Sequence, residues 1–281
     1  MVDQIGIDVK ETRFEKILSV LRIIVDYYEQ NKVHELMQQY DEASLFFVLT
    51  DATTYIKLFN FFKDKKSHEI PRRKLIESIT GPILPWEEVP NKGTAHSRNI
   101  SFELETAVWF HKSGIEIENF DDVQFLFDNH FFNVQCKRIH SLYRIADNIA
   151  DAARQISKRM QKGNKMKGVI YLCIDKFTEK EGWILQVNHV DEIGPHLDKL
   201  AIDFIRNYSH LWKNLANINI LGTAIVVNIL ASIKQDPFPM LTTCKNTVID
   251  IIPNQGIGQD SDYSLIKNLC VHLGDSRTIK S

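Results

Sequence analysis

Between residues 12 and 62 apolar side chains recur at helical spacing, first through Phe14, Ile17, Leu18, Leu21 and Val25, then from Ala43 to Phe62. The stretch predicts helices. Its aromatics (Tyr27, Tyr28, Phe46, Phe47, Tyr55, Phe59, Phe61, Phe62) read as core rather than as a cofactor box. A Lys/Arg-bearing segment from Lys63 to Lys74 leads into a connector carrying Gly81, Pro82, Pro85, Pro90 and Gly93, which cannot lie inside a helix. From Ile100 the pattern changes. Ile100 to Ser113 predicts an amphipathic helix capped by Gly114. Ile115 to Glu118, Val123 to Phe127 and Phe131 to Arg138 predict three strands. Leu142 to Gln161 predicts a helix ended by Gly163, and Gly168 to Ile174 is a continuous apolar run typical of a buried central strand.

Beyond that run, Trp183 to Val187 predicts a strand, His196 to Leu215 a helix, and the regions 219–230 and 247–252 further strands. The tail after Gly256 is polar and expected to be loose. The expected class is α/β with a mixed sheet. It has a helical region over 1–92, a core over 93–190, and a helix and strand extension over 191–281 packed on that core.

Composition adds exclusions. The net charge of −2 makes the whole molecule no polycation, so any nucleic-acid contact must come from a local patch. The cysteines at 136, 173, 244 and 270 form no CxxC pair, which argues against a zinc knuckle and for small buried hydrophobes in a reducing compartment. The first residues carry neither a basic nor an apolar signal region. The longest apolar run, Ile218 to Ile233, is interrupted by Asn219 and Asn228 and reads as a buried strand pair or core helix, not a membrane span. A cytoplasmic protein with no membrane contact is expected. No P-loop, GxGxxG, HExxH or GxSxG occurs, so ATP use, dinucleotide binding and serine hydrolysis have no support.

The candidate chemistry lies on the second and third strands. A tight turn at Asn129-His130 would set Asp122 opposite Lys137 and Gln124 opposite Gln135. Alternation then gives one wholly apolar face (Val123, Phe125, Phe127, Phe132, Val134, Cys136) and one carrying Asp122, Gln124, Gln135 and Lys137. A plain cross-strand ion pair is one reading of the second face. A hard divalent cation is another. Asp122, the Gln135 amide oxygen and the Cys136 carbonyl would ligate it, and Lys137 would hold a phosphate or help deprotonate water. On the preceding helix Glu103 falls on the apolar stripe, where a lone carboxylate is costly without a partner, and is expected as a further ligand; Glu105 falls on the solvated side. His96 and His111 are expected to be structural rather than ligands. Arg144, Arg154, Lys158, Arg159 and Lys162 make the next helix basic, suited either to solvent or to backbone phosphates.

The run Arg98-Asn99-x-x-Phe102-Glu103, Gly114, Asp122-Val123 and Val134-Gln135-Cys136-Lys137-Arg138 resembles the PD-(D/E)XK nuclease superfamily, whose core is commonly α-β-β-β-α-β. The resemblance covers about a quarter of the chain. It implies Mg²⁺- or Mn²⁺-dependent hydrolysis of phosphodiester bonds, usually in DNA. Glu103, Asp122, Gln135 and Lys137 would form the catalytic set, with Arg98, Arg138, Arg154, Gln155 and Lys158 on the nucleic acid. Gln155 is similar to the glutamine that several members place on this helix. The family's usual residue at position 135 is Glu or Asp, and Gln removes one negative charge from the metal site. Three functions follow: a DNA endonuclease, for instance in defence against phage or foreign DNA; a catalytically silent module that binds nucleic acid or scaffolds a partner; and an RNA-directed nuclease. The flanking regions could serve a helicase or ATPase partner, or a homodimer.

Overall fold

The computed structural model describes residues 6–66, 69–89, 93–120, 123–160, 166–178, 184–213, 215, 219–234, 240–252, 259–274 and 278–280. The chain divides into two compact units, Met1–Val108 and Trp109–Ser281.

The first unit is helical: α1 (Arg13–Glu29), α2 (Val33–Gln39), α3 (Glu42–Phe62), α4 (Arg72–Ser78) and most of α5 (His96–Lys112). Side-chain caps start two of these helices. Thr12 accepts a hydrogen bond from the Glu15 amide, and Asp41 from the Ser44 amide. The α3 side chains Leu45, Val48, Ala52, Tyr55, Leu58, Phe59 and Phe62 are buried at helical spacing, and Phe14 meets Tyr55 and Phe59 edge-on at 5.4 and 5.6 Å. These aromatics are core, as their spacing suggests, whereas Tyr28 is exposed. Among the described helices α3 is the one long and apolar enough to cross a membrane, and much of it is spent on this core. Arg13 is buried beside Tyr55: its Nε donates to the phenol oxygen at 2.8 Å and its Nη2 to the Ser78 carbonyl at 2.7 Å. Burial pushes the Tyr55 hydroxyl up to about 12 against the pull of Arg13.

The second unit is built on one mixed sheet. Its strands are β1 (Ile117–Asn119), β2 (Gln124–Phe127), β3 (His130–Arg138), β4 (Lys167–Cys173), β5 (Ile184–Val187), β6 (Ile220–Ile233), β7 (Met240–Ile251) and β8 (Thr278–Lys280). Between them lie α6 (Ile145–Met160), α7 (Asp175–Thr178), α8 (Ile193–Tyr208), α9 (His210–Lys213) and α10 (Gln259–His272). The order across the sheet is β1-β2-β3-β4-β6-β7-β8, with β5 also paired to β6. The β1-β2-β3 meander is antiparallel, and β3, β4 and β6 run parallel, with α6 connecting β3 to β4.

The two faces of the sheet have different partners. Ile170, Leu172, Ile225, Val227 and Val248 lie under α6 and α8, whose Ile149, Ala153, Ile156, Leu197 and Phe204 complete the cluster. The opposite face stacks Phe125 on Phe132 at 5.2 Å and sets Phe110 against Phe125 and Tyr171 at 5.0 and 5.7 Å. His272 of α10 meets Phe127 on that side. One position sets how closely α6 approaches. A Cβ on Gly168 of β4 would lie 2.6 Å from Ile156 Cγ2, so only glycine admits the observed packing.

Several elements differ from expectation. The β2–β3 turn is Asp128-Asn129, both with positive φ, not Asn129-His130. Gln124 therefore faces Asn133, not Gln135. The register moves by two, so every side chain keeps its face. The strand expected around 219–230 is the single fourteen-residue β6, which runs to Ile233, so the apolar run is neither a strand pair nor a core helix. The region after Gly256, expected loose, contains helix α10, which buries Leu265, Ile266, Leu269 and Cys270. Gly168→Ala should destabilise the protein by about 1–3 kcal/mol through overpacking against Ile156. A urea denaturation midpoint equal to wild type would show that α6 can shift away freely.

Candidate active site

Strand β3 presents Asn133, Gln135 and Lys137 to the α6 side of the sheet, because their parallel partners Gly168, Ile170 and Leu172 face α6. Toward the hairpin tip the same face is bare, with Leu126 and Phe131 exposed. Asn133 is fully enclosed and Gln135 nearly so, while Lys137 is half-buried. The Gln135 Nε2 donates to Asn133 Oδ1 at 2.8 Å, and Lys137 Nζ donates to Gln155 Oε1 of α6 at 3.2 Å. Asn133, Gln135, Lys137 and Gln155 thus form two amide-anchored pairs on one strand and the helix covering it. Lys137 and Gln155 were both expected at a site on this sheet. Asn133 was not, although it stands on the same face by simple alternation.

Among the described residues no donor reaches Gln135 Oε1, whereas its Nε2 is committed. A neutral oxygen in that state suits a hard cation such as Mg²⁺. The Asn133 Nδ2 is buried with no acceptor, an arrangement that costs about 1–3 kcal/mol.

The remaining expected residues have varied surroundings. Asp122 lies outside the described residues. Glu103, in the first unit, is neither lone nor deeply buried: its Oε2 receives Lys74 Nζ at 2.6 Å, and a quarter of its side chain is exposed. The lysine, distant in sequence, supplies the compensation that a helical wheel cannot show. Arg98 was expected at phosphate. Instead it is buried, with its guanidinium on Glu88 and Asp51 at 2.8 and 2.9 Å and on the Ile83 carbonyl at 2.8 Å. Arg138 is likewise buried, on the face opposite Lys137, and its Nε and Nη2 lie 3.1 and 2.9 Å from Asp175 Oδ2. Both guanidiniums are engaged by carboxylates in this structure. Arg154 and Lys158 are exposed on α6, Arg154 in a helical ion pair with Asp151.

Cys136 is buried in β3, opposite Tyr171 of β4. All four cysteines are free thiols, and burial pushes those of Cys173 and Cys244 up, away from thiolate chemistry. His96 Nε2 lies 3.4 Å from Glu77 Oε2 and His111 packs beside Phe120. Among the described residues no three His, Cys, Asp or Glu side chains gather as a metal cluster.

Comparison with family models, with curated proteins and with solved structures finds no match.

The Arg138–Asp175 pair ties the end of β3 to the start of α7. Burial alone would raise the Asp175 carboxyl, but the Arg138 charge and hydrogen bonds hold it below its ordinary value of 3.8. A depressed carboxylate stabilises the fold above its unfolded value, and that contribution is lost as pH falls through the lower folded value. Asp175→Asn should therefore cost about 1–3 kcal/mol at pH 7, discounted for partial exposure. The gap to wild type should close as the pH drops below about 4. Unfolding curves across pH 2–7 test this, and a gap that persists unchanged at the acid end would remove the assigned cause.

Proposed function

We propose that this chain is a metal-dependent nuclease of the PD-(D/E)XK type that hydrolyses phosphodiester bonds in DNA. The observation that carries the reading is the Gln135–Lys137 face: an amide oxygen and an ammonium, two residues apart on β3, the ammonium anchored by Gln155 of the covering helix. The order α5-β1-β2-β3-α6-β4 around it agrees with the α-β-β-β-α-β core of that superfamily.

In this reading Asp122, Gln135 and the Cys136 carbonyl hold Mg²⁺ or Mn²⁺. The ion, when bound, acidifies a water and stabilises charge developing at phosphorus. Lys137 supplies the positive end of the site. Its Nζ has donors to spare beyond Gln155, and these bind a non-bridging phosphate oxygen or orient the attacking water. Gln155 holds that ammonium in place. Arg154 and Lys158, exposed on the same helix, neutralise flanking backbone phosphates without reading sequence. Glu103, in the first unit, is already balanced by Lys74. Action on foreign DNA is the biological setting that this chemistry suits.

A second reading is a catalytically silent nucleic-acid-binding module. It draws on Gln135, an amide where the family usually has a carboxylate, and on the Glu103–Lys74 pair. Supercoiled plasmid incubated with Mg²⁺ or Mn²⁺ separates the two. The nuclease reading expects nicking or linearisation by wild type, a loss of at least about 100-fold in Lys137→Ala and Asp122→Ala, and about tenfold in Gln155→Ala. Inert wild type that still retards DNA in a gel would favour the silent module. Equal cutting by Lys137→Ala would discard this site.

A further inference from the structure

Four strands of the sheet present a row of side chains to the face opposite Lys137. Arg138 of β3 is paired with Cys173 of β4, Cys173 with Val226 of β6, and Val226 with Thr247 of β7. Directly paired residues share a face, so all four point away from α6. The next row out along the same face sets Asn228 opposite Lys245. Both rows lie at the carboxyl ends of β3 and β4, the end at which open α/β sheets bind ligands. Trp109 covers this face from α5, its ring 6.4 Å from that of Tyr171, two residues back on β4.

A cavity of about 290 Å³ lies here. Among the described residues it is lined by Trp109, Lys245, Asn246, Thr247, Leu273 and Gly274, all in the second unit. Its size is close to the lower end of small-molecule sites, about 300–1,000 Å³. The lining is asymmetric. The Trp109 ring and the buried Leu273 are apolar walls. Lys245 Nζ stands 5.5 Å from the Trp109 ring centre, so a cation is kept beside the apolar wall. Thr247 is only 6% exposed, yet its hydroxyl has no hydrogen-bond partner among the described residues. A hydroxyl so enclosed is normally hydrogen-bonded, and a ligand acceptor would complete it. The half-buried Asn228 amide opposite Lys245 is likewise uncommitted among the described residues. Asn246 adds no such group, because its Nδ2 donates to Asp198 Oδ1 of α8 at 2.6 Å.

We infer that this cavity is a second binding site, on the face opposite Lys137, for a small organic anion: one carboxylate or phosphate group on one flat ring. The anionic group accepts from Lys245 Nζ and Thr247 Oγ1, and the ring lies against Trp109 and Leu273. The site uses neither the metal nor the residues of the nuclease reading and stands or falls apart from it.

Two-dimensional NMR of the full-length chain, titrated with benzoate and with phenyl phosphate, tests the site. Inorganic phosphate, which lacks the ring, and benzyl alcohol, which lacks the charge, are the controls. One of the two ring anions should shift the Trp109 indole N–H and the backbone amides of residues 245–247 with a Kd of about 0.1–1 mM, at least about fivefold below either control. The tighter of the two tells a carboxylate site from a phosphate site. Lys245→Gln and Thr247→Val, both close in shape to the native side chains, should each weaken binding by at least about threefold while leaving the thermal midpoint little changed. Lys245→Arg, which keeps the charge, should retain binding. Shifts centred on Lys137 and α6, a control that binds as tightly as the ring anions, or undiminished binding in both Lys245→Gln and Thr247→Val would overturn the site. Absence of any shift with either ring anion at about 10 mM would overturn it as well.

Discussion

The approach of α6 to the β3–β4 pair governs the second unit. Where Gly168 offers no side chain, Ile156 settles against the backbone, and that depth of packing fixes the height of the whole helix above the sheet. It seals Asn133 completely and leaves Gln135 only a narrow exposure. One residue earlier on α6, Gln155 is carried to within hydrogen-bond reach of Lys137. A helix standing an ångström higher would admit water to Asn133 and free the lysine to wander. Polar groups on an interior strand are thereby ordered by the same contacts that form the hydrophobic core.

Much of this was legible in the residues. The switch from helical to alternating periodicity near Ile115 located the meander, and the apolar run from Gly168 located the buried strand β4. The face assignment survived a wrong turn because the register error was two residues, and a strand repeats every two. Asp128-Asn129 is the tighter turn because both residues tolerate the left-handed region, a preference that favours Asn and Asp over His. What the pattern hid was tertiary. Helix α10 looked loose because its stretch is mostly polar, yet the buried Leu265, Ile266, Leu269 and Cys270 have the spacing of one helical stripe. The long β6, expected over 219–230, continues to Ile233 past the half-buried Asn228.

Charge was the least legible property. Glu103, Arg98 and Arg138 all have the residue type and setting of site groups, and all three have ion partners 29 or more residues away, or in a loop before their own helix. A helical wheel reports which side a residue occupies but not what stands opposite. Lys137 and Gln155, which the fold brings into contact, lie on β3 and on the helix that follows it, so local chain order already placed the two near each other. Asn133 went unnoticed for a different reason: an amide with no charge carries no sequence signal until its partner and its enclosure are known.

The central claim is that Gln135 and Lys137 on the α6 side of β3 mark a divalent-cation site. Paramagnetic relaxation by Mn²⁺ in NMR spectra of the folded chain tests it most directly. The account predicts that substoichiometric Mn²⁺ broadens the backbone amides of residues 134–138 and the side-chain amide of Gln135 first, sparing β7 and α10. Uniform weak broadening, or broadening centred on another acidic surface, would contradict it.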